Sequence, residues 1–270
     1  MKYNALVVGA NGVVGSSLIK HLNFQHEWKY HAISKRDSLI QNDSKIIKCD
    51  LLNKDNCEYI YPEIQKTTHI FFTAYCFHKN KSKESELNLK IIKNILDPFI
   101  DDENNNLKHV QLMQGSKWYG NHLGPYLTPA RETDSRHMTP NFYYEQQDFL
   151  TKESKIHSWS WSALRPHGIC GFSLRSPMNL LNSIAIYALI SKELGLPLKF
   201  PGSKKSFNKI YQVTDAKLLS EAMVWAAVSE NTKNQVFNIT NGDFFRWSQI
   251  WPIISNYFNL PIGEVQKISL

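Results

Sequence analysis

An apolar run, Ala5-Leu-Val-Val8, leads directly into Gly9-Ala-Asn-Gly12-Val-Val-Gly15, and no further glycine occurs until Gly115. A short continuous apolar run that ends on glycine reads as a strand buried on both faces and stopped by a tight turn. From Val13 to Leu22 the apolar residues then recur with helical spacing. In this GxxGxxG pattern one glycine permits the sharp exit from the strand, one lets a pyrophosphate approach the backbone, and one lets the helix pack closely on the sheet. The unpaired N–H groups and positive dipole of the helix start would face the phosphates. Gly9, Asn11, Gly12, Val13, Val14 and Gly15 are therefore expected to form a dinucleotide-binding turn.

The rest of the chain alternates in the same way. Extended segments are read at Trp28 to Ser34, Lys45 to Cys49, Thr68 to Phe72, Leu107 to Met113, Trp159 to Leu164 and Gln235 to Thr240. Helical patterns cover Glu84 to Ile100, Met178 to Glu193, a stretch capped by Thr214 or Asp215 and running to Val228, and Trp247 to Tyr257. The fold class is α/β: a Rossmann-type doubly wound parallel sheet with a smaller C-terminal substrate-binding portion. The expected division is 1–167 for the cofactor domain and 168–270 for the cap, with the strand near 235–240 returning to the sheet. No internal repeat is visible.

An NAD site would place an acidic residue about 20 positions beyond the glycines to hold the adenosine ribose. Ser34-Lys35-Arg36 stands there instead. Two bases pair with a 2′-phosphate that a carboxylate would repel, so NADP is favoured. Asp50 and Leu51 end the third strand and suit the adenine.

The net charge of +7 could point to nucleic acid, but the bases are dispersed among acids, as in Lys79-Asn-Lys81-Ser-Lys83-Glu84, and read as solvated surface. Trp159, Trp161, Trp225 and Trp251 read as core. The best apolar helix, Met178 to Ile190, is too short for a membrane span, and no secretory signal is read at the start. The four cysteines have neither CxxC nor ligand spacing, so they read as reduced, mostly buried thiols in a cytoplasmic protein without a metal site. His122, His137 and His167 have no carboxylate partner in the sequence and receive no role.

Many reductases of this fold use a tyrosine with a lysine four residues later. Here Tyr143 is followed at that distance by Gln147, and Tyr144 by Asp148. Other strings are distinctive: Gln114-Gly-Ser-Lys117-Trp-Tyr-Gly120, Gly124-Pro-Tyr126, Asn141-Phe-Tyr-Tyr144, Arg165-Pro-His-Gly-Ile169-Cys-Gly171-Phe-Ser173 and Pro177-Met-Asn179. Together they resemble the progesterone 5β-reductase and iridoid synthase-like family of atypical extended short-chain dehydrogenases/reductases, from about Ala5 to Tyr257.

The resemblance implies NADPH-dependent reduction of an activated C=C bond conjugated to a carbonyl. It implies that Tyr143 is the catalytic tyrosine and Lys117 the catalytic lysine, supplied from another strand end. It further implies cofactor contacts at Thr73, Ala74, Asn88, Gln114, Gly115, Tyr143, Arg165, Pro166 and Ile169, and substrate contacts at Tyr75, Tyr126, Met178 and Asn179. The expected partner is a small hydrophobic carbonyl compound, with a homodimer as the candidate assembly. Members of that family continue beyond the point matching Tyr257, so a C-terminally short cap is also implied. Two alternatives stay open: a cofactor-binding sensor or scaffold with little turnover, and a sugar-nucleotide epimerase, against which the absent Tyr-xxx-Lys pair argues.

Overall fold

The computed structural model describes residues 2–37, 46–174, 176 and 179–267. The first half runs β1 (Tyr3–Val8), α1 (Val13–Leu22), β2 (Trp28–Ser34), β3 (Ile46–Lys48), α2 (Lys54–Ile64), β4 (His69–Phe72), α3 (Lys81–Asp101) and β5 (His109–Met113). A 3₁₀ turn over Ser116–Tyr119 leads to α4 (Phe142–Glu153) and β6 (Ser160–Pro166). Then come β7 (Ile169–Cys170), α5 (Leu180–Glu193), α6 (Lys204–Asn208), β8 (Ile210–Tyr211), β9 (Thr214–Asp215), α7 (Ala216–Val228), β10 (Gln235–Ile239), β11 (Phe245–Arg246) and α8 (Trp247–Tyr257).

Among the described residues, seven parallel strands form one sheet in the order β10-β6-β5-β4-β1-β2-β3. This is the doubly wound Rossmann arrangement. The chain winds outward in opposite directions from β1 and β4, and the carboxyl ends of these neighbours form the crevice where ligands bind in such sheets.

Strand periodicity explains why β1 is apolar throughout. Leu6 and Val8 enter one core with Ile33, Ile92, Ile95 and Leu150, while Ala5 and Val7 enter the other with Leu18, Ile19, Leu219 and Met223. Helices α2, α3 and α4 cover the first face, and α1 and α7 cover the second. β10 pairs with β6, so residues on both sides of position 167 build the sheet. A separate core in the C-terminal part joins Ala188, Leu198, Phe200 and Trp251.

Two helices differ from their sequence pattern. α3 starts a turn before Glu84 because the Asn80 side chain accepts from the Lys83 N–H and caps it. α2, with only Cys57, Ile60 and Ile64 buried, has too narrow an apolar stripe to stand out. Asp215, rather than Thr214, caps α7 by accepting from the N–H groups of Lys217 and Leu218. Trp159, Trp161 and Trp251 are buried, whereas Trp225 is 48% exposed and lies against Phe237 at the β10 edge. No helix among the described residues is long and apolar enough to cross a membrane.

Candidate active site

The glycine turn closes on itself by contact. Gly9 has a φ of +98°, and a side chain there would begin 2.8 Å from Thr73 Oγ1 and the Ala74 N. Thr73 seals this junction, donating from both its N–H and its Oγ1 to the Val8 carbonyl at 2.8 Å. A Cβ on Gly15 would lie 2.3 Å from the Gly9 carbonyl oxygen, so helix and strand touch there only because Gly15 is bare. Above Gly12 the space is open apart from the Gly9 oxygen, 3.3 Å from where a Cβ would stand. Val13 and Val14 are buried, leaving the first N–H groups of α1, which have no intrahelical acceptor, as the polar surface of the turn.

Asn11 ties the turn to the end of β2, donating from Nδ2 to Ser34 Oγ at 2.7 Å and to the Arg36 carbonyl at 3.0 Å. Lys35 and Asp50 form an ion pair at 2.9 Å, which holds the Asp50 carboxyl below its ordinary range. The Leu51 carbonyl is held by Asn94 of α3. The Arg36 side chain is exposed and, among the described residues, makes no ion pair. Open backbone at Gly12 and unpaired N–H groups at the start of α1 fit the pyrophosphate of a dinucleotide.

At the end of β5, Gly115 and the 3₁₀ turn present Lys117. Asn141, buried at the cap of α4, joins the two expected catalytic residues: its Nδ2 donates to the Lys117 carbonyl at 2.9 Å and its Oδ1 accepts from the Tyr143 N–H at 3.1 Å. Tyr143 is half-buried, and a Cβ on Gly115 would stand 3.4 Å from its hydroxyl. That hydroxyl has no hydrogen-bond partner among the described residues, and burial, followed by the Glu84 charge, pushes its pKa up. The Lys117 ammonium lies over two rings, 5.3 Å from that of Tyr75 and 5.9 Å from that of Phe142. Burial lowers its pKa, with Glu84 opposing the shift.

Glu84 corrects the reading of the 79–84 string as solvated surface. It is 3% exposed, accepts a short hydrogen bond from the Tyr75 hydroxyl and pairs with Lys81 at 2.9 Å. Burial works to raise its pKa, but these partners outweigh it and hold the carboxyl below its usual range.

Several residues expected at the ligands instead build the walls. The Arg165 guanidinium stacks 3.7 Å from the Trp118 ring and donates to Gln114 Oε1, Tyr119 Oη, the Glu132 carbonyl and Gln147 Oε1. Gln114 spends its amide on Gln147 and the Tyr143 carbonyl. Asn88 clamps the loop after β4 by bonding both the N–H and the carbonyl of Cys76. Asn179 caps α5 and holds Gly171 and Ser173. Each of these four side chains is buried and holds the scaffold around the site through its own polar groups.

The Pro166 carbonyl faces Gly115, and Ile169 pairs with Thr214. Tyr126 stacks on Tyr119 with centroids 6.4 Å apart. Met178 lies outside the described residues. Gln147, in the place of the usual lysine, is locked between Gln114 and Arg165. His167 holds Ser116 Oγ at 2.9 Å, a contact between loops that the sequence did not disclose.

Residues 37–267 match the model of the PRISE-like Rossmann-fold domain. The chain belongs to this family. An (S)-8-oxocitronellyl enol synthase of Nepeta racemosa is 34% identical over 97% of the PRISE-like chain and 70% of its own length. A 3-oxo-Delta(4,5)-steroid 5-beta-reductase of Arabidopsis thaliana is 35% identical over 95% of the chain and 69% of its own. The PRISE-like chain is an oxidoreductase built on the extended short-chain dehydrogenase/reductase fold. That fold is shared with the UDP-glucose 4-epimerase of Thermus thermophilus solved with NAD, at a TM-score of 0.77 and 16% identity over 98% of this chain and 86% of that one.

Proposed function

We propose that the chain is an NADPH-dependent reductase of small hydrophobic enones, acting by 1,4-reduction, with Tyr143 meeting the substrate oxygen and Lys117 supporting it. The observation that carries the reading is the unpartnered, half-buried Tyr143 hydroxyl facing Gly115, tied through Asn141 to the turn that bears Lys117. The names of the two relatives denote formation of an enol and reduction of an unsaturated 3-oxo steroid, chemistry in which an oxygen gains charge. The Arg36 guanidinium, which makes no ion pair among the described residues, supports NADPH over NADH.

The bound dihydronicotinamide would supply a hydride to the β-carbon of the enone. Negative charge then collects on the carbonyl oxygen as an enolate. Tyr143 donates its hydroxyl to that oxygen; its raised pKa keeps the proton in place until the charge develops. Lys117 adds positive potential from the facing turn, where the Tyr75 and Phe142 rings exclude water and lower the local dielectric. Gln147 cannot replace it, being neutral and locked to Arg165.

NADPH and NADH consumption should be measured with a panel of small enones for the parent, Tyr143→Phe and Lys117→Ala. The parent is expected to prefer NADPH, and Tyr143→Phe to lose about a hundredfold in kcat. Full activity in Tyr143→Phe, or tight NADPH binding without turnover of any enone, would overturn the reading.

A further inference from the structure

Glu84 is the carboxylate that the Tyr75 hydroxyl reaches beneath Lys117, and nothing in the reaction scheme uses it. Its geometry is that of a link. Tyr75 places its ring face beneath the Lys117 ammonium and its hydroxyl on Glu84 Oε1, so a single rigid side chain connects the two charges. Lys81 occupies the other oxygen, Oε2, from the exposed first turn of α3. Phe142 closes the remaining side, its ring tilted at 34° and 5.3 Å from the Tyr75 ring. A buried carboxylate is costly unless its partners are fixed, and here both are.

We infer that Glu84, held by Tyr75 and Lys81, is a positioning residue that keeps the Lys117 ammonium charged and seated over the Tyr75 and Phe142 rings. The inference rests on the proposed role of Lys117 for its catalytic meaning, while the coupling itself is a property of the protein without substrate. The charged and titratable groups facing Lys117 are Glu84, Lys81, His122 and Tyr75; those facing Glu84 are Tyr75, Lys81, Lys117, Tyr143, His122 and Cys76. Glu84 is the only anion among them, so its charge opposes the desolvation of Lys117.

The test is the pH dependence of Lys117 modification by an amine-selective acylating reagent, read peptide by peptide in a mass spectrometer on the whole chain. Glu84→Gln keeps the shape and an acceptor for Tyr75 but removes the charge. It should move the Lys117 midpoint down by about one pH unit, a tenfold faster labelling at fixed pH below the midpoint. The alkaline limb of kcat/KM for enone reduction should move down by the same amount, with KM for the enone little changed. Glu84→Asp should return part of the shift. Lys81→Gln, at a half-exposed side chain, covers the case in which Glu84→Gln does not fold, and should raise the midpoint. An unchanged Lys117 midpoint in either Glu84→Gln or Lys81→Gln overturns the inference, even in a fully active reductase. A shifted midpoint in a protein that reduces no enone would support the coupling and reject the proposed reaction instead.

Discussion

The Tyr143 hydroxyl stands 3.4 Å from the point where a side chain on Gly115 would begin, and the Pro166 carbonyl oxygen stands at the same distance from it. Gly115 has an extended backbone, φ 170°, so any residue is sterically allowed there. What its bareness protects is the space in front of the phenol. Gly115→Ala is expected to fold with a Tm within about 4 °C of the parent, the shift that ~1 kcal/mol produces in a domain of this size. It should lose at least about tenfold in kcat/KM because the methyl stands beside the position of the substrate oxygen. Thermal unfolding and enone kinetics on the same preparation check both.

The first glycines should separate into a structural and a binding member. In Gly15→Ala the new methyl meets the Gly9 carbonyl oxygen at 2.3 Å, and backbone on both sides resists movement. A loss of several kcal/mol, of the order of ~3, is expected from such overpacking, seen as a fall in Tm or as insoluble protein. In Gly12→Ala the contact is 3.3 Å and can relax, so the fold should persist while NADPH affinity drops about tenfold or more. Calorimetric titration of the folded variant decides the second part.

The two bases at the end of β2 should differ in their effect on cofactor choice. Lys35 is engaged by Asp50 at 2.9 Å, while the exposed Arg36 guanidinium makes no ion pair among the described residues and is available to a phosphate. Loss of a charge-assisted hydrogen bond costs about 1.5–3 kcal/mol. Arg36→Ala should accordingly weaken NADPH binding by about tenfold to a hundredfold and leave NADH binding unchanged. Lys35→Ala should have a smaller effect on NADPH. Equal losses for both nucleotides in Arg36→Ala would remove the basis for NADPH preference.

Arg165 should behave as a stability residue. Its guanidinium is buried between Trp118 and four acceptors drawn from separate segments of the chain. Arg165→Met leaves Gln114 Oε1 and the Glu132 carbonyl without their donor, at a cost of about 3–5 kcal/mol for breaking a buried charged network. Urea unfolding should show that loss with an unchanged slope.

The amino-terminal end of the central strands sets an acid limit. His69 and His109, the first residues of β4 and β5, face each other with centroids 6.3 Å apart. Burial first, then nearby positive charge, lowers their pKa values to about 4 and about 3. Both are therefore neutral when folded, and the unfolded chain binds more protons below the ordinary value of 6.5. Their contribution is fully present above that pH and is lost as pH falls toward 4 and then 3, by up to about 1.4 kcal/mol per pH unit for each. His109→Gln, which retains a partner for Ser160 and Ser162, should flatten the dependence of the urea midpoint between pH 6.5 and 4 relative to the parent.

The sequence by itself determined the parts that depend on neighbouring residues. A glycine forced to positive φ, a helix started by a polar cap and a strand with both faces buried leave their marks within a few positions, which is why the turn at Gly9 to Gly15, the alternating sheet and the strings around Lys117 and Tyr143 were legible. Tertiary structure alone decided which charges are buried and which polar groups are already satisfied. Glu84 lies in a lysine-rich string that looks solvated, and becomes buried because Tyr75 descends onto it from the loop after β4. Arg165, Gln114, Asn88 and Asn179 find their polar partners in other segments of the chain, which no local pattern announces. Trp225 reads as a core residue but packs against the outermost strand, at Phe237 of β10, and stays about half exposed. Backbone conformation is set over a few residues, whereas desolvation and charge pairing depend on what the fold brings within a few ångströms from elsewhere in the chain.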